Sequence, residues 1–346
     1  QLRLTLEELC AGRGTETDID VLRDLGQAVR KGSLCGLGQT APNPVLTTLK
    51  YFEDEYLEHV RDRHCSAGVC ADLTLAPCVN RCPAEVDVPA YVSLVAEGRT
   101  AEALAVHLDR NPFPSVCGRV CPAFCETRCR RATLDGEPVA IRTIKRFMAD
   151  HAREPRLAPI DRPAAERKSV GVVGAGPAGL TAAFFLRRMG HEVTVYEATK
   201  QPGGMMRWGI PEYRLVRKEL DRDIARIERL GVEIRTGWKL GGGRTIAGLR
   251  RKHDAVFLSV GAWDDLPLRI PGEDASGVRS GIDFLRRAAE GTVKAVKADV
   301  VVIGGGNTAI DAARTALRLG AASVTIAYRR TKAEMPAQPE EIAEAE

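Results

Sequence analysis

KSVGVVGAGPAGLTAAFFLRRMGHEVTVYE, residues 168–197, is the stretch from which the rest of the chain can be read. Ser169–Val173 is a short β-branched run of the kind that forms a buried strand. It leads into Gly174-Ala175-Gly176-Pro177-Ala178-Gly179, then an apolar helical pattern that stops at Gly190, then a second strand, Val193–Tyr196, ending at Glu197. Gly174 permits the tight turn, Gly176 lets backbone approach a pyrophosphate, and Gly179 lets the helix lie close to the strand. The helix opened by Pro177 and Ala178 turns free N–H groups and a positive dipole end toward the phosphates. Glu197, at the end of the second strand, is placed to accept from ribose hydroxyls. A glycine-rich turn alone is ordinary, but strand, turn, helix, strand and acid in this order point to dinucleotide binding.

The remaining composition fits a multidomain globular chain. At 346 residues, two or three domains are expected. With 44% hydrophobic and 28% charged residues and a net charge of only +4, nothing argues for a nucleic-acid partner. No apolar run approaches the about 18 residues of a membrane span, and no signal-peptide pattern opens the chain. The first residue is Gln, from which a true N-terminus further upstream is expected. Of ten cysteines, eight fall between Cys65 and Cys129 and none follows. A secreted disulfide domain sits badly beside a nucleotide-binding unit, so metal or iron–sulfur ligation in a reducing, cytoplasmic setting is expected instead.

Residues 1–64 read as helical, with apolar residues at helical spacing over Asp18–Val29 and again over Leu46–Val60, Pro44 lying near the start of the second. Between them, Ser33-Leu34-Cys35-Gly36-Leu37-Gly38 resembles the C-terminal end of the iron–sulfur domain in the flavoprotein subunit of respiratory complex I and in related hydrogenase and formate dehydrogenase subunits. The resemblance makes Cys35 the last ligand of a cluster whose other three cysteines would precede Gln1, and so implies a fragment. Cys10 matches no ligand position and is read as a packed helix residue.

Residues 65–129 hold Cys65, Cys70, Cys78, Cys82, Cys117, Cys121, Cys125 and Cys129, enough for two four-ligand clusters. Two helices are expected between Cys82 and Cys117. One begins near Pro89 and stops at Gly98; the other is capped by Thr100 and ends before Asn111-Pro112. As a hairpin they would return Cys78 and Cys82 toward the later cysteines. Cys82-Pro83, Asn111-Pro112-Phe113-Pro114, Gly118-Arg119-Val120-Cys121-Pro122 and Cys125-Glu126-Thr127-Arg128-Cys129 resemble the N-terminal iron–sulfur domain of the glutamate synthase small subunit. The same domain occurs in dihydropyrimidine dehydrogenase and in the large subunit of NADH-dependent ferredoxin:NADP oxidoreductase. The resemblance implies interleaved ligands: Cys70, Cys78 and Cys129 for one cluster, with Cys65 as substitute for the cysteine that the family places at Leu73. Cys82, Cys121 and Cys125 would serve the other. The family's Gln or Glu ligand position holds Lys145, which cannot ligate, so Cys117 takes its place. The rival is a pair of four-cysteine zinc sites. Pro155, Pro159 and Pro163 mark a linker, taken as residues 151–167.

Beyond Glu197, Gln201-Pro202-Gly203-Gly204-Met205-Met206-Arg207-Trp208-Gly209-Ile210-Pro211-Glu212-Tyr213-Arg214-Leu215 resembles the flavin-binding loop of the same family. The resemblance assigns FAD contacts to Gly203, Gly204, Met205 and Arg214. Residues 215–230 read as a charged amphipathic helix with a solvated face. Ala255–Gly261 reads as a buried strand ending in a glycine turn, which the family passes beneath the FAD at Gly261; Pro271-Gly272-Glu273-Asp274 then marks the passage into a second nucleotide domain. That domain repeats the pattern with strand Asp299–Ile303, Gly304-Gly305-Gly306-Asn307-Thr308-Ala309, a helix to Gly320 and strand Ser323–Tyr328. Gly304, Gly306, Asn307, Thr308 and Ala309 would hold the nucleotide phosphates. Tyr328 stands where an NAD site places its acid, and Arg329 and Arg330 follow it, which favours NADP(H) over NAD(H). Asp311 is expected to pack against the turn or hydrogen-bond to it.

The expected architecture is therefore multidomain: helical iron–sulfur segments (1–64 and 65–150) and an α/β flavoprotein with Rossmann-like FAD (168–275) and NAD(P) (276–346) domains. The expected activity is electron transfer between NAD(P)H, FAD and two [4Fe–4S] clusters, with a third cluster completed by residues upstream. No Ser/His/Asp set, paired carboxylates or nucleophilic cysteine is evident, and no side chain is assigned as catalytic; the cofactors carry the chemistry. The join of complex-I-like and glutamate-synthase-like parts resembles subunits of electron-bifurcating complexes, with ferredoxin-like, hydrogenase, formate dehydrogenase or amidotransferase partners. The alternatives are the glutamate synthase small-subunit role and, from another class, a non-catalytic relay scaffold or structural zinc module.

Overall fold

The computed structural model describes residues 1–73, 76–155, 157, 163–264 and 266–346. Pro159, in the expected linker, lies outside them. The chain divides into two compact units, Gln1–Glu97 with Ala123–Ile141, and Gly98–Pro122 with Arg142–Glu346. Residues 65–150 are thus shared between the two units.

In the first unit, the N-terminal part is helical as expected: Leu2–Cys10, Glu16–Gly32, Gly36–Thr40, Asn43–Tyr51 and Glu53–Arg61. Thr15 and Asp18 form a capping box at the start of the long helix. Leu9, Ile19, Leu22 and Leu49 close a small apolar core between these helices. The expected continuous helix over Leu46–Val60 is instead two. Phe52 leaves helical geometry (φ −135°, ψ 33°), and Glu53, Asp54 and Glu55 then supply the acidic first turn that suits a new N-terminus. Further on, the helix Val88–Ala96 starts on the Asp87 carboxylate, which accepts from the Ala90 N–H at 3.1 Å.

The second unit contains the nucleotide-binding sheets. Strands β1 (Ser169–Val173), β2 (Glu192–Tyr196), β3 (Glu233–Arg235) and β4 (Ala255–Leu258) form one parallel sheet in the order β3-β2-β1-β4. Register places Val172 opposite Val195 on one side and Phe257 on the other. The helix Pro177–Arg188 crosses from β1 to β2, burying Leu180, Ala183 and Phe184. This is the parallel βαβ unit that the glycine pattern implies. β4 differs from expectation. It is the sheet's edge, and Phe257 and Leu258 are 42% and 48% exposed rather than buried, because β1 covers only one of its sides. A second parallel pair, β5 (Asp299–Ile303) and β6 (Ser323–Ala327), flanks the helix Asn307–Arg318.

The charged helix Arg217–Arg229 is also not merely solvated. Leu220, Ile224 and Ile227 are buried, and with them Asp223 and Arg226. Asp223 Oδ2 accepts from the Ser115 and Val116 N–H groups at 3.0 and 3.2 Å, and its Oδ1 from the Ser115 hydroxyl at 2.9 Å. It caps the helix Pro114–Val120 from another element, satisfying N-terminal donors the helix cannot satisfy itself. Arg226 bridges Asp223 (2.9 Å) and Glu154 (2.8 Å). These bonds explain why Gly98–Pro122 belongs with the nucleotide-binding sheets.

Candidate dinucleotide, iron–sulfur and thiol sites

Both glycine turns take the shape their sequences imply. A Cβ on Gly179 would stand 1.9 Å from the Gly174 carbonyl oxygen, so only glycine lets the helix begin this close to β1. The flavin-loop segment folds back onto this turn. Gly203 N–H donates to the Ala175 carbonyl at 2.8 Å, and a Cβ on Gly204 would stand 2.6 Å from the Gly176 Cα. Two stretches assigned separately from sequence thus meet at one helix N-terminus, and the loop continues as a helical turn, Met205–Trp208, carrying Met205. Glu197 is buried. Its carboxylate accepts from the Ala175 N–H (2.7 Å) and from the Thr199 N–H (2.7 Å) and hydroxyl (2.8 Å). It therefore holds the glycine turn as well as standing at the strand end; a carboxylate has lone pairs for about four donors in all. Gly261 follows β4 in the left-handed region (φ 75°).

Arg214 lies in an ion-pair network. Its guanidinium meets Asp311 and Glu341, each at 2.7 Å, and Arg314 pairs with Glu341 and Glu344. Arg318 and Arg314 stack on the Tyr213 ring at 3.8 and 4.8 Å. Asp311 therefore bonds to Arg214 rather than to the glycine turn. Burial pushes its carboxyl up to about 6 against the pull of Arg214.

At the second turn, the Gly306 position opens onto free space, with Asn307, Thr308 and Ala309 starting the helix behind it. The Asn307 carboxamide oxygen accepts from the Gln338 N–H at 3.0 Å, and the Tyr328 ring lies against Gly305. Arg329 and Arg330, just past β6, are exposed and carry no ion pair among the described residues.

No cysteine is in a disulfide among the described residues. In the first unit, Cys78 and Cys129 are neighbours; burial, with Cys129 adding to it, raises the Cys78 thiol. The Val139 N–H donates to Cys129 Sγ at 3.5 Å, and Cys125 is buried. In the second unit, Cys117 sits in the capped helix Pro114–Val120 with Cys121 just beyond it. Burial pushes the Cys117 thiol up to about 11, although the buried Lys145 ammonium and the Asn111 amide (3.4 Å to Sγ) oppose the shift. Cys35 is exposed at the start of the Gly36–Thr40 helix, between exposed Leu34 and Leu37.

Cys65 and Cys70 lie close to one another in the first unit. They converge on His59, the ligand atoms of all three lying within 4.8 Å of one another. Cys10 joins them through a thiol contact with Cys70. Burial and the Cys10 and Cys65 sulfurs push the Cys70 thiol up to about 12. Burial acts the same way on Cys65, but the Cys70, Val69 and Gly68 N–H groups outweigh it and hold that thiol low. The expectation that Cys10 is a packed helix residue is corrected here. It is exposed, because the helix ends at Cys10 and the buried face is carried by Thr5 and Leu9.

Comparison with known families agrees with this layout. A model described as pyridine nucleotide-disulphide oxidoreductase matches residues 168–346, more than half the chain, and the chain belongs to this family. Its helical part matches dihydropyrimidine dehydrogenase domain II, 4Fe-4S cluster, over residues 49–157, and the NADH-ubiquinone oxidoreductase-F iron-sulfur binding region over residues 1–59. Among curated proteins, the NADPH-Fe(3+) oxidoreductase subunit beta of Geobacter sulfurreducens is 42% identical, over 97% of this chain and 51% of the relative. The NADP(+)-dependent formate dehydrogenase subunit beta of Moorella thermoacetica is 36% identical, over 99% of this chain and 57% of its own. The glutamate synthase [NADPH] small chain of Halomonas elongata is 35% identical, over 87% of this chain and 67% of its own. The chain spans about half the length of the Geobacter relative. The architecture is thus helical iron–sulfur segments followed by an α/β dinucleotide-binding flavoprotein, as the sequence implies.

Proposed function

We propose that this chain is the electron-handling part of an NAD(P)H-dependent oxidoreductase subunit that works inside a larger complex. The observation that carries this reading is the meeting of the flavin-loop glycines with the first glycine turn, in a chain that also carries a second dinucleotide turn and an iron–sulfur segment. FAD, when bound, supplies the exchange between two-electron hydride chemistry and the one-electron steps of iron–sulfur clusters. The chain's own residues bind and orient. The Pro177–Arg188 helix N-terminus, Gly176 and Gly204 would hold the FAD pyrophosphate, Met205 would contact the flavin, and Glu197 would accept from the ribose. Gly306 through Ala309 take the nicotinamide dinucleotide, and Arg329 and Arg330 take a 2′-phosphate, which favours NADPH. Relatives named for NADPH or NADP(+) support that choice. Cys78, Cys82, Cys125 and Cys129 in one unit and Cys117 and Cys121 in the other are the proposed iron–sulfur ligands, and Cys35 the last ligand of a further cluster. Matching of residues 49–157 to a 4Fe-4S model favours iron–sulfur over zinc for these six.

The partners are other redox subunits, as the subunit names of the relatives suggest. The fusion of complex-I-like and glutamate-synthase-like segments favours a bifurcating complex over the glutamate synthase role; a complex unable to reduce ferredoxin and a second acceptor together would remove that refinement. No helix among the described residues is long and apolar enough to cross a membrane. Thiol-rich ligation favours the cytoplasm. The test is anaerobic purification followed by flavin, iron and sulfide analysis. Flavin with iron and sulfide in equal amounts is expected; a chain with flavin but no sulfide would leave it without its electron path.

A further inference from the structure

Four side chains that no part of the electron path uses converge in the first unit. Cys10 ends the first helix, His59 lies in the helix Glu53–Arg61, and Cys65 and Cys70 bound a tight turn in which the Gly68 N–H donates to the Cys65 carbonyl at 2.9 Å. Cys10, His59 and Cys65 also line one cavity of about 340 Å³, which gives an ion a way in.

The histidine is oriented as a ligand. Its Nδ1 lies 2.6 Å from the Glu55 carbonyl oxygen, which can only accept, so Nδ1 carries the proton. The lone pair of the neutral ring is then on Nε2, 3.3 Å from Cys70 Sγ. This carbonyl–imidazole arrangement is the one that supports metal-bound histidines. Asn80 Nδ2 holds the Cys65 carbonyl at 3.4 Å and steadies the turn.

Spacing separates a single ion from a cluster. Ligands at about 2.3 Å (sulfur) and about 2.0 Å (nitrogen) from one tetrahedral ion stand roughly 3.5–3.8 Å apart. The observed 3.3 Å between Nε2 and Sγ, with all three ligand atoms within 4.8 Å, fits that tetrahedron before any adjustment. A four-iron cubane binds each ligand to a different iron and holds them further apart. Three thiolates and an imidazole are a donor set that suits zinc.

We propose that Cys10, His59, Cys65 and Cys70 form a Cys3His site for one structural zinc ion. The ion fastens the first helix and the helix Glu53–Arg61 to the Cys65–Cys70 turn. Cys10 lies in the stretch matched by one family model, Cys65 and Cys70 in the stretch matched by another, and His59 in their overlap, so the ion sits at the seam between them. Binding converts up to three thiols to thiolates, releases their protons, and leaves a site of net charge −1 with no change of oxidation state.

The experiment is metal analysis and zinc-edge X-ray absorption on the full chain purified anaerobically. About one zinc per chain is expected, with three sulfur neighbours near about 2.3 Å and one nitrogen near about 2.0 Å. Cys10→Ser and His59→Ala are expected to lose zinc while keeping their iron, and His59→Cys to keep zinc with a four-sulfur shell. A folded wild-type chain without zinc would overturn the proposal. So would zinc that survives in both Cys10→Ser and His59→Ala, which would place it elsewhere, or loss of iron in these variants, which would assign the four residues to a cluster. The wild-type absorption spectrum decides even where a variant fails to fold. Iron and flavin contents of the same sample test the electron path separately.

Discussion

Asp223→Ala is the perturbation whose size follows most directly from the structure. The carboxylate is fully buried, accepts from two backbone N–H groups and a hydroxyl of the helix Pro114–Val120, and pairs with Arg226. Its removal strands two buried helix-terminal donors, at about 1–3 kcal/mol for each unsatisfied group. Arg226 keeps Glu154, so the cost of an isolated buried cation is largely avoided. The expected loss is about 3–5 kcal/mol, felt locally at the helix that carries Cys117. Hydrogen exchange by mass spectrometry reads this directly, without needing the whole chain to unfold in one step. Peptides covering Pro114–Val120 should exchange faster by about two to four powers of ten, and the chain should lose iron. Asp223→Asn keeps an acceptor for the backbone donors and should cost about 1–2 kcal/mol. Exchange in Asp223→Ala within a few-fold of wild type would show that the carboxylate does not hold this helix.

The other predictions concern pH, cofactor packing and nucleotide choice. Burial holds the Asp223 carboxyl at about 6, above its ordinary value of 3.8, so between these pH values the folded chain holds more protons than the unfolded one. Stability from this group is therefore fully present below about 4, falls as pH rises to about 6 and is flat above. Asp223→Asn should flatten that part of the profile; the same slope in both proteins would contradict it. Gly179→Ala puts a methyl 1.9 Å from the Gly174 oxygen and should abolish FAD retention, measured as flavin per chain. Arg330→Ala should raise KM for NADPH about 10–100-fold, from roughly 1.5–3 kcal/mol for a charge-assisted bond, and leave KM for NADH unchanged. An equal rise for both nucleotides would show that the arginine does not read the phosphate.

What the sequence shows plainly is whatever depends on short-range pattern. β1 spans Ser169–Val173 as expected and β5 spans Asp299–Ile303, because a β-branched run before a glycine turn has few alternatives. The glycines of the first turn and of the flavin loop were also readable, each as its own motif. Long-range partners were not. Asp223 sits on a helix whose charge pattern reads as solvated, and only the fold brings it under Ser115 and Val116. The same holds for Cys10 and His59, which lack the close ligand spacing that marks a metal site and meet Cys65 and Cys70 only through helix packing. Signals were present in part. Phe52 followed by three acidic residues is a helix start inside an otherwise periodic stretch, and Cys10 beside Gly12 is a helix end.

The proposed function requires that electrons pass between a reduced nicotinamide nucleotide, a flavin and iron–sulfur clusters carried by this one chain. Anaerobic rapid mixing of the iron- and flavin-loaded chain with NADPH tests it, with flavin absorbance and cluster paramagnetism followed on one sample. Flavin bleaching is expected first, followed by the appearance of reduced-cluster signals within the time of a turnover. A loaded chain whose flavin bleaches while its clusters stay oxidised, though dithionite reduces them, would contradict it.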